Sequence, residues 1–281
     1  MSLVIGADPE YLVRDNRTGA FVSAHNLIPG SKKKPHKYKS GAIQVDGVSA
    51  EININPATSS AMFINNINQI REYLTNRLGP TYSIAATPFA EFDQSYFDQL
   101  PEAAKELGCD PDFNAWSNGA ENPSPLSVGP FRTGAGHVHL GWCKPDKALM
   151  RDPDHRNDCV AMVKQLDYYI GIHTLRYDPD GRRRSLYGRA GAFRIKPYGV
   201  EYRVPSNSWL RDEVLMSWIF RAAQAAYFDL KAGVSPVVEY GDLAAEIING
   251  NQTDWTDWAP PALVNTKSVL MPKLEDFNVA A

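Results

Sequence analysis

The segment RTGAGHVHLGW, residues 132–142, decides the fold because it places two imidazoles on one predicted strand. Side chains alternate between the two faces of a strand, so His137 and His139 point to the same side. Gly134 and Gly136 leave room for a ligand or a second backbone to come close. The segment therefore predicts a strand with one face that binds a ligand.

Two other segments repeat this spacing with charged groups. Asp8 and Glu10 are two residues apart in GADPEYLV, as are Glu201 and Arg203 in YGVEYRVPSN. Glu51 lies inside the apolar run VSAEININP. Charged groups in strands that otherwise belong to a core are costly to bury unless they bind something, and a cation is the simplest candidate.

Composition limits the class of protein. At 281 residues and 43% hydrophobic, the chain can bury one large core, so we predict one domain over residues 1–281. The formal net charge of -3 gives no reason to expect nucleic acid as a partner. No apolar run in the sequence approaches the roughly 20 residues of a membrane span, so we expect no membrane partner.

The cysteines indicate a reducing compartment. Cys109, Cys143 and Cys159 are odd in number and lack the spacing of a metal site, and the first residues lack the features of a secretory leader. We therefore expect a cytoplasmic protein with three structural thiols.

Apolar periodicity and turn residues divide the chain into strands and helices. Strands are predicted at residues 3–13, 21–24, 41–46, 48–55 and 82–92, and around the HVH and VEYR motifs. Helices are predicted at residues 59–78, 154–176, 212–231 and 243–248, and irregular segments at 108–130 and 182–197. Hairpins interrupted by long helices predict an α+β fold, with a curved, mostly antiparallel β-sheet, helices packed on its outer face and a polar concave face.

Several features have two interpretations. The basic segment, residues 31–39 (SKKKPHKYK), is either a solvated loop or a lid over an anionic ligand. Glu91 is expected at the surface rather than in a site, and His155 and His173 are expected to be helix residues rather than ligands. The irregular segment 108–130 is expected to line the site, because long loops in compact domains usually carry function.

The polar residues favour one combination of ligands. Glutamates and histidine without cysteine favour Mg²⁺ or Mn²⁺ over structural zinc. Basic side chains near the VEYR motif match the needs of a polyphosphate and a transferring phosphoryl group. They are Arg182, Arg183, Arg184, Arg189, Arg194, Lys196 and Arg203. Metal ligands and arginines together predict ATP.

These motifs resemble a known superfamily. The order and the local sequence of three motifs resemble those of the glutamine synthetase and glutamate-cysteine ligase superfamily; the motifs are DPEYLV, GAGHVH and VEYRVP. The longer segments GCDPDFNAW, RTGAGHVHLGW and YGRAGAFRIKPYGVEYRVPSNSWL look like the phage-encoded carboxylate-amine ligases, or type 2 amidoligases, of that superfamily. The resemblance covers about residues 3–210, and it implies a catalytic domain like that of glutamine synthetase, located in the host cytoplasm if the chain is phage-encoded.

The resemblance also implies a metal site. Asp8, Glu10, His137 and Glu201 match its metal-binding positions, and Glu51 matches one of two middle-strand glutamates. The second of these glutamates has no counterpart, Asp46 or Gln44 being nearest.

The remaining matched positions contact the nucleotide and the phosphoryl group. Arg203, helped by Arg189 or Arg194, would face the transferring phosphoryl group, and His139 would meet a nucleotide phosphate. Lys196 and Arg184 are the further residues that we expect to bind the nucleotide.

The implied reaction joins a carboxylate to an amine. ATP would phosphorylate a small-molecule or peptide carboxylate, and an amine would then displace phosphate and give an amide. Asp46 and Asp110 are both candidates for the base that takes the amine proton. Three rivals are a zinc hydrolase built on HVH and Glu201, a kinase that stops after phosphoryl transfer, and a non-catalytic phage structural protein that retains the fold.

Overall fold

Antiparallel pairing between strands that are distant in the sequence forms the framework of the molecule. A computed structural model describes residues 2–105, 112–123 and 129–255. The strands in these residues are β1 (Val4–Ala7), β2 (Glu10–Asp15), β3 (Phe21–Val22), β4 (His36–Tyr38), β5 (Gly41–Asp46), β6 (Ser49–Ile54), β7 (Tyr82–Ala85), β8 (Phe89–Glu91), β9 (Phe113–Asn114), β10 (Ala120–Glu121), β11 (Phe131–Thr133), β12 (Val138–Gly141), β13 (Ala192–Lys196) and β14 (Gly199–Tyr202).

The first sheet places three motifs side by side. Its order is β1-β12-β14-β13-β9-β10, and each neighbouring pair is antiparallel. Gly6 lies opposite His139, and His139 lies opposite Glu201 on the next strand. The histidine strand is therefore held between the first strand of the chain and the VEYR strand.

The second sheet carries the remaining acidic positions. Its order is β3-β2-β6-β5-β4, with β7 also paired to β2, while β8 and β11 form a separate two-stranded ribbon. Glu51 lies opposite Glu10 on one neighbouring strand and opposite Gln44 on the other. The hairpin predicted at Asp46 and Gly47 joins β5 to β6, with Gly47 at φ 54°.

The chain crosses from the first sheet to the second at Asp8 and Pro9. We predicted one continuous strand over residues 3–13, but β1 pairs with β12 whereas β2 pairs with β6 and β7. The Pro9 carbonyl accepts a hydrogen bond from Ile52 N–H at 3.0 Å, while Glu10 N–H donates to the Ala135 carbonyl at 2.8 Å, so the chain bonds to both sheets at this point. Asp8 and Glu10 consequently lie at the junction of the two sheets and face different partners.

The three longest helices lie against the face of the sheets that is opposite to the acidic groups. The helices in the described residues are α1 (Ser60–Leu78), α2 (Gln94–Asp98), α3 (Glu102–Lys105), α4 (Pro153–Leu166), α5 (Ile172–Thr174), α6 (Gly181–Leu186), α7 (Glu213–Lys231), α8 (Pro236–Tyr240) and α9 (Leu243–Asn249), with a π-helical segment, Asp167–Gly171, between α4 and α5. Helix α7 packs on both α1 and α4, and all three pack on the sheets. On β6, Ile52 and Ile54 belong to this core, while Glu51 points to the other face. The predicted α+β fold, with curled antiparallel sheets and helices on one side, is thus confirmed.

Three segment predictions are corrected. Residues 82–92 form two strands, because β7 pairs with β2 and β8 pairs with β11. Residues 182–197 are not irregular: they contain part of α6, capped by Asp180, and β13, which pairs along β14. The helix predicted at 154–176 starts at Pro153, because Asp152 caps it, and contains the π-helical segment.

The predicted helices at 59–78, 212–231 and 243–248 agree with α1, α7 and α9 within two residues. Ser59 caps α1 by accepting a hydrogen bond from the backbone N–H of Met62, and Gly79 at φ 64° ends it. Among the residues that the structure describes, no helix has both the length and the apolar character needed to cross a bilayer.

Candidate active site at the junction of the sheets

The first cluster of polar groups lies where β1 ends and β12 begins, beside β14. Asp8 Oδ1 lies 2.9 Å from His139 Nε2 and 3.4 Å from His137 Nδ1, and Glu201 Oε1 lies 3.4 Å from the same His137 nitrogen. Potential ligand atoms of Asp8, His139 and Glu201 all lie within 4.8 Å of one another. The two histidines thus point to the same side of the strand, as predicted.

Three polar atoms of this cluster are buried close together. Asp8 Oδ1, His139 Nε2 and Glu201 Oε2 are buried and have no partner with hydrogen-bond geometry. The other ring nitrogen of His139, Nδ1, lies 2.6 Å from the Tyr198 hydroxyl, which fixes the ring. Two carboxylates and an oriented imidazole form a donor set that fits a divalent cation.

The second cluster is built from β2, β5 and β6. Carboxylate oxygens of Glu10, Asp46 and Glu51 lie within 4.8 Å of one another. Asp46 therefore supplies the third acid of this set, and the Lys32 ammonium lies 2.7 Å from its carboxylate. An all-oxygen donor set fits a hard cation such as Mg²⁺ or Mn²⁺.

The charged groups of the first cluster shift one another's pKa values. Burial and Asp8 oppose ionisation of Glu201, but Arg203 and His139 outweigh them and lower its pKa to about 2. Burial, aided by Arg203, lowers the pKa of His137 to about 4. The pKa of His139 is raised, because Asp8 overcomes the opposing effect of burial. His137 is therefore a neutral imidazole at pH 7, as a metal ligand must be.

The second cluster is short of positive charge. Burial, followed by the neighbouring Asp46, raises the pKa of Glu10 to about 7. Burial and three nearby carboxylates raise the pKa of Glu51 well above its usual range. A cation bound here would offset this repulsion and favour the ionised acids.

Arg203 links Glu201 of the first cluster to the segment that contains Asp112. Its Nη1 donates a hydrogen bond to Glu201, and its Nε donates one to Asp112 at 3.1 Å. These carboxylates raise the pKa of Arg203 further, against the opposing effect of burial. Asp112 belongs to segment 108–130, so this part of the segment lines the site as expected; residues 106–111 and 124–128, with the candidate base Asp110 and with Cys109, lie outside the described residues.

Two cavities meet at the first cluster. The polar cavity has a volume of about 230 Å³ and is lined by all three acids of the second cluster, by Asp8 and His137 of the first, and by several basic groups. Its basic lining residues are Lys32, Arg132, Arg183, Arg194 and Arg203. The apolar cavity has a volume of about 380 Å³ and is lined by Val4, Gly6, Ile54, Pro56 and Tyr198 among others. Asp8 lines both, so this carboxylate lies between them.

The structure brings only some of the predicted basic residues to the site. Lys196 Nζ lies 2.6 Å from Glu201 Oε2, and Arg194 lines the polar cavity with Nη1 3.8 Å from Glu201 Oε1. Arg184 is buried elsewhere, where it pairs with Asp178 at 3.4 Å. Arg189 is exposed and donates to the carbonyl of Ser185. Neither Arg184 nor Arg189 lines either of the two cavities, so their predicted roles remain predictions.

Arg183 and Lys32, which the sequence placed among basic residues without assigning either an individual role, both line the polar cavity. Arg183 is fully buried, lines the polar cavity, and donates to the carbonyl of Val204 at 2.7 Å; burial lowers its pKa to about 10. Lys32 is the member of the basic segment that lines the polar cavity, while Lys33, Lys34 and Lys37 are exposed. The solvated interpretation therefore holds for most of the segment, and one lysine reaches the site.

The glycines, the surface glutamate, the helical histidines and the cysteines named from the sequence lie as follows. Gly134 and Gly136 accommodate protein rather than ligand, since an added Cβ would contact Asn207 and the carbonyl of Ser206. Glu91 is a surface residue 3.4 Å from Arg182. The helical interpretation of His155 and His173 is confirmed. Cys143 and Cys159 are unpaired thiols.

Comparison with known proteins supports the resemblance. The family described as "Phage phiEco32-like COOH.NH2 ligase-type 2" matches residues 115–232, so the predicted family resemblance is confirmed over that part of the chain. None of the curated proteins compared with the chain matches it.

Two solved structures are similar to the chain at low identity. One, described as "Crystal structure of novel glutamine synthase homolog", has 12% identity and a TM-score of 0.35, and the match covers 80% of this chain. The chain spans 55% of the length of that structure. Another, described as "GmaS/ADP complex-Conformation 1", has 9% identity and a TM-score of 0.37, covering 96% of this chain and 73% of that one.

Proposed function

We propose that the protein, whose residues 115–232 match a carboxylate-amine ligase family, is an ATP-dependent ligase that forms an amide through an acyl phosphate. The observation that carries this proposal is the convergence of two acidic clusters and Arg203 at one junction. Glu201 has contacts with Arg203 and Lys196 and lies in the same cluster as Asp8. Such sets of acids and basic groups suit cation-bound polyphosphate.

Each cavity would bind a different substrate, the nucleotide in one and the carboxylate in the other. The apolar cavity, with Tyr198 and Ile54 in its wall, would take the base and sugar of the nucleotide. The polar cavity would take the carboxylate substrate, with Arg194 and Arg203 beside the reacting oxygen. Asp8 lies on the boundary, where the phosphates would pass from one cavity to the other.

The reaction has two displacements. An oxygen of the substrate carboxylate attacks the γ-phosphorus of ATP, and the bond from that phosphorus to the departing ADP oxygen breaks. The amine nitrogen then attacks the acyl carbon, inorganic phosphate leaves, and the nitrogen loses one proton. Divalent cations held by the two clusters would neutralise phosphate charge. Arg194 and Arg203 would stabilise charge on the transferring phosphoryl group.

The test is an ADP-release assay on a panel of carboxylates and amines with Mg²⁺ or Mn²⁺. With an ¹⁸O-labelled carboxylate, the proposed reaction transfers one label to the released phosphate. Glu201→Gln should lower turnover by roughly 100-fold or more, because both basic neighbours and the cation lose their carboxylate. Glu72→Gln, an exposed residue of α1, is the matched control and should leave turnover unchanged.

The same assay separates the rival functions. A zinc hydrolase would turn over substrate without nucleotide, and a kinase would release ADP without consuming an amine. A non-catalytic protein would give no ADP with any pair of substrates. Each of these results, or wild-type turnover in Glu201→Gln, would contradict the ligase proposal.

A further inference from the structure

A buried carboxylate lies directly behind the site, on the helix side of β14. Asp167 is 0% exposed and begins the π-helical segment. Its carboxylate accepts hydrogen bonds from Trp116 Nε1 at 2.6 Å and from the Tyr202 hydroxyl at 2.7 Å, and also from the backbone N–H of Gly191. A buried acid held by three neutral donors carries a desolvation cost, which indicates a role besides packing.

Each donor belongs to a segment that contacts Arg203. Tyr202 ends β14 and directly precedes Arg203, and successive side chains of an extended backbone point to opposite faces. Trp116 lies in the segment that supplies Asp112, the acceptor for Arg203 Nε. The third donor, Gly191, accepts a backbone hydrogen bond from Ala115 at 2.9 Å. The strand that carries Arg203 and the loop that orients its guanidinium are therefore fixed to one carboxylate.

The π-helical segment is shaped for this contact. A Cβ on Gly171 would lie 2.8 Å from the Tyr202 hydroxyl oxygen and 3.2 Å from Asp167 Oδ1. Glycine is thus required for the hydroxyl and the carboxylate to meet. Single π turns inside α-helices frequently occur beside functional sites.

We propose that Asp167 is a positioning residue: through Trp116 and Tyr202 it keeps the Arg203 guanidinium shared between Asp112 and Glu201. Without this anchor, Asp112 would shift away and Arg203 would pair with Glu201 alone. Arg203 would then be misplaced for the phosphoryl group. The geometric part is independent of the reaction, whereas its kinetic consequence rests on the proposed ligase function.

The test compares two phenylalanine substitutions. Tyr202→Phe removes the hydroxyl that binds Asp167. Tyr169→Phe is the matched control, because the Tyr169 hydroxyl donates to Asp229 at a similar 2.6 Å from the same helical segment, and Asp229 lies on α7 rather than on β14. Asp167→Asn is the second variant, and it keeps the shape of the side chain.

The first readout is the Arg203 Nε–H resonance in ¹⁵N-labelled protein, assigned with Arg203→Lys. In the wild type and in Tyr169→Phe, this resonance should have the chemical shift and the slow exchange with solvent that a hydrogen bond to Asp112 produces. In Tyr202→Phe and Asp167→Asn it should move and exchange faster. An unchanged resonance in both variants, or the same change in Tyr169→Phe, would overturn the proposal.

The second readout is kinetic. In Tyr202→Phe and Asp167→Asn, kcat should fall roughly 10- to 100-fold, the scale of a misplaced reacting group, while calorimetric binding of Mg²⁺-ADP stays within about twofold. Tyr169→Phe should keep its kcat. Equal losses in kcat and in nucleotide binding would show a purely structural role. If the wild type has no ligase activity, the proposed function fails, and the resonance alone still decides the positioning role.

Discussion

Asp8 Oδ1 lies 2.9 Å from His139 Nε2 at the point where the chain leaves one sheet for the other. The same oxygen is 3.4 Å from His137 Nδ1, so one carboxylate contacts both imidazoles of the HVH strand. The two rings respond differently: the pKa of His139 is raised, while that of His137 is lowered to about 4 by burial and Arg203. Asp8 thus favours protonation of His139, whereas His137 is neutral at pH 7.

Removing the Asp8 carboxylate should weaken cation binding. In Asp8→Asn, we expect Mn²⁺ affinity, measured by calorimetry, to fall roughly 10- to 100-fold. The pKa of His139, followed by NMR, should also fall, because Asp8 is the group that raises it. Asp98→Asn, on the exposed end of α2, is the control and should change neither quantity. Wild-type Mn²⁺ affinity in Asp8→Asn would exclude Asp8 as a ligand.

Cation binding should be coupled to protons near neutral pH. The folded pKa of Glu10 is about 7, above its ordinary 4.5, so its contribution to stability is complete below pH 4.5 and is lost as pH rises through 7. Ionising Glu10 in the fold costs roughly 3 kcal/mol, which a bound cation would offset. Mn²⁺ should therefore bind at least about tenfold more tightly at pH 8 than at pH 6.

The control for this coupling is Glu10→Gln, which cannot ionise. Its Mn²⁺ affinity should be lower, and its dependence on pH should be weaker than that of the wild type. Thermal unfolding with and without Mn²⁺ at both pH values provides a second measurement. Equal affinity of the wild type at pH 6 and pH 8 would contradict the raised pKa of Glu10.

Filling the apolar cavity should impair nucleotide binding selectively. A Cβ on Gly6 would meet its nearest neighbour, His139 Cβ, at 3.8 Å, so a larger side chain fits the strand and enters the cavity. We expect Gly6→Val to raise the KM for ATP by roughly tenfold, with kcat at saturating ATP little changed. Gly6→Ala should show a smaller effect in the same direction. An increase confined to the KM of the carboxylate would reverse our assignment of the two cavities.

Two arginines that are close in sequence should differ in importance. Arg194 lines the polar cavity, whereas Arg189 is exposed and donates to the carbonyl of Ser185. Arg194→Ala should lower kcat by roughly 100-fold or more, the usual scale for a group that stabilises transition-state charge. Arg189→Ala should retain activity within about twofold, as a surface substitution does. The opposite order would mean that Arg189 enters the cavity in the substrate-bound protein.

The alternation of side chains along each strand was enough to predict which residues of that strand face the site. The two-residue repeat fixes which side chains share a face, so it correctly oriented His137 with His139 and Glu201 with Arg203. The same rule placed Ile52 in the core and Glu51 on the polar face of β6. These relationships follow from backbone geometry alone, which every strand obeys.

Tertiary structure decided which faces meet. Pairing between distant strands splits the acidic residues into two clusters on either side of Pro9 and brings Asp46 and Lys32 to the second. It also brings Tyr198 and Asp112 to the first cluster. Arginines that are close in sequence are separated, with Arg194 in the polar cavity and Arg189 at the surface. The sequence alone predicted the chemical character of each strand, because alternation is local. The register and order of the strands depend on packing across the whole chain, so only the folded structure could assemble the site.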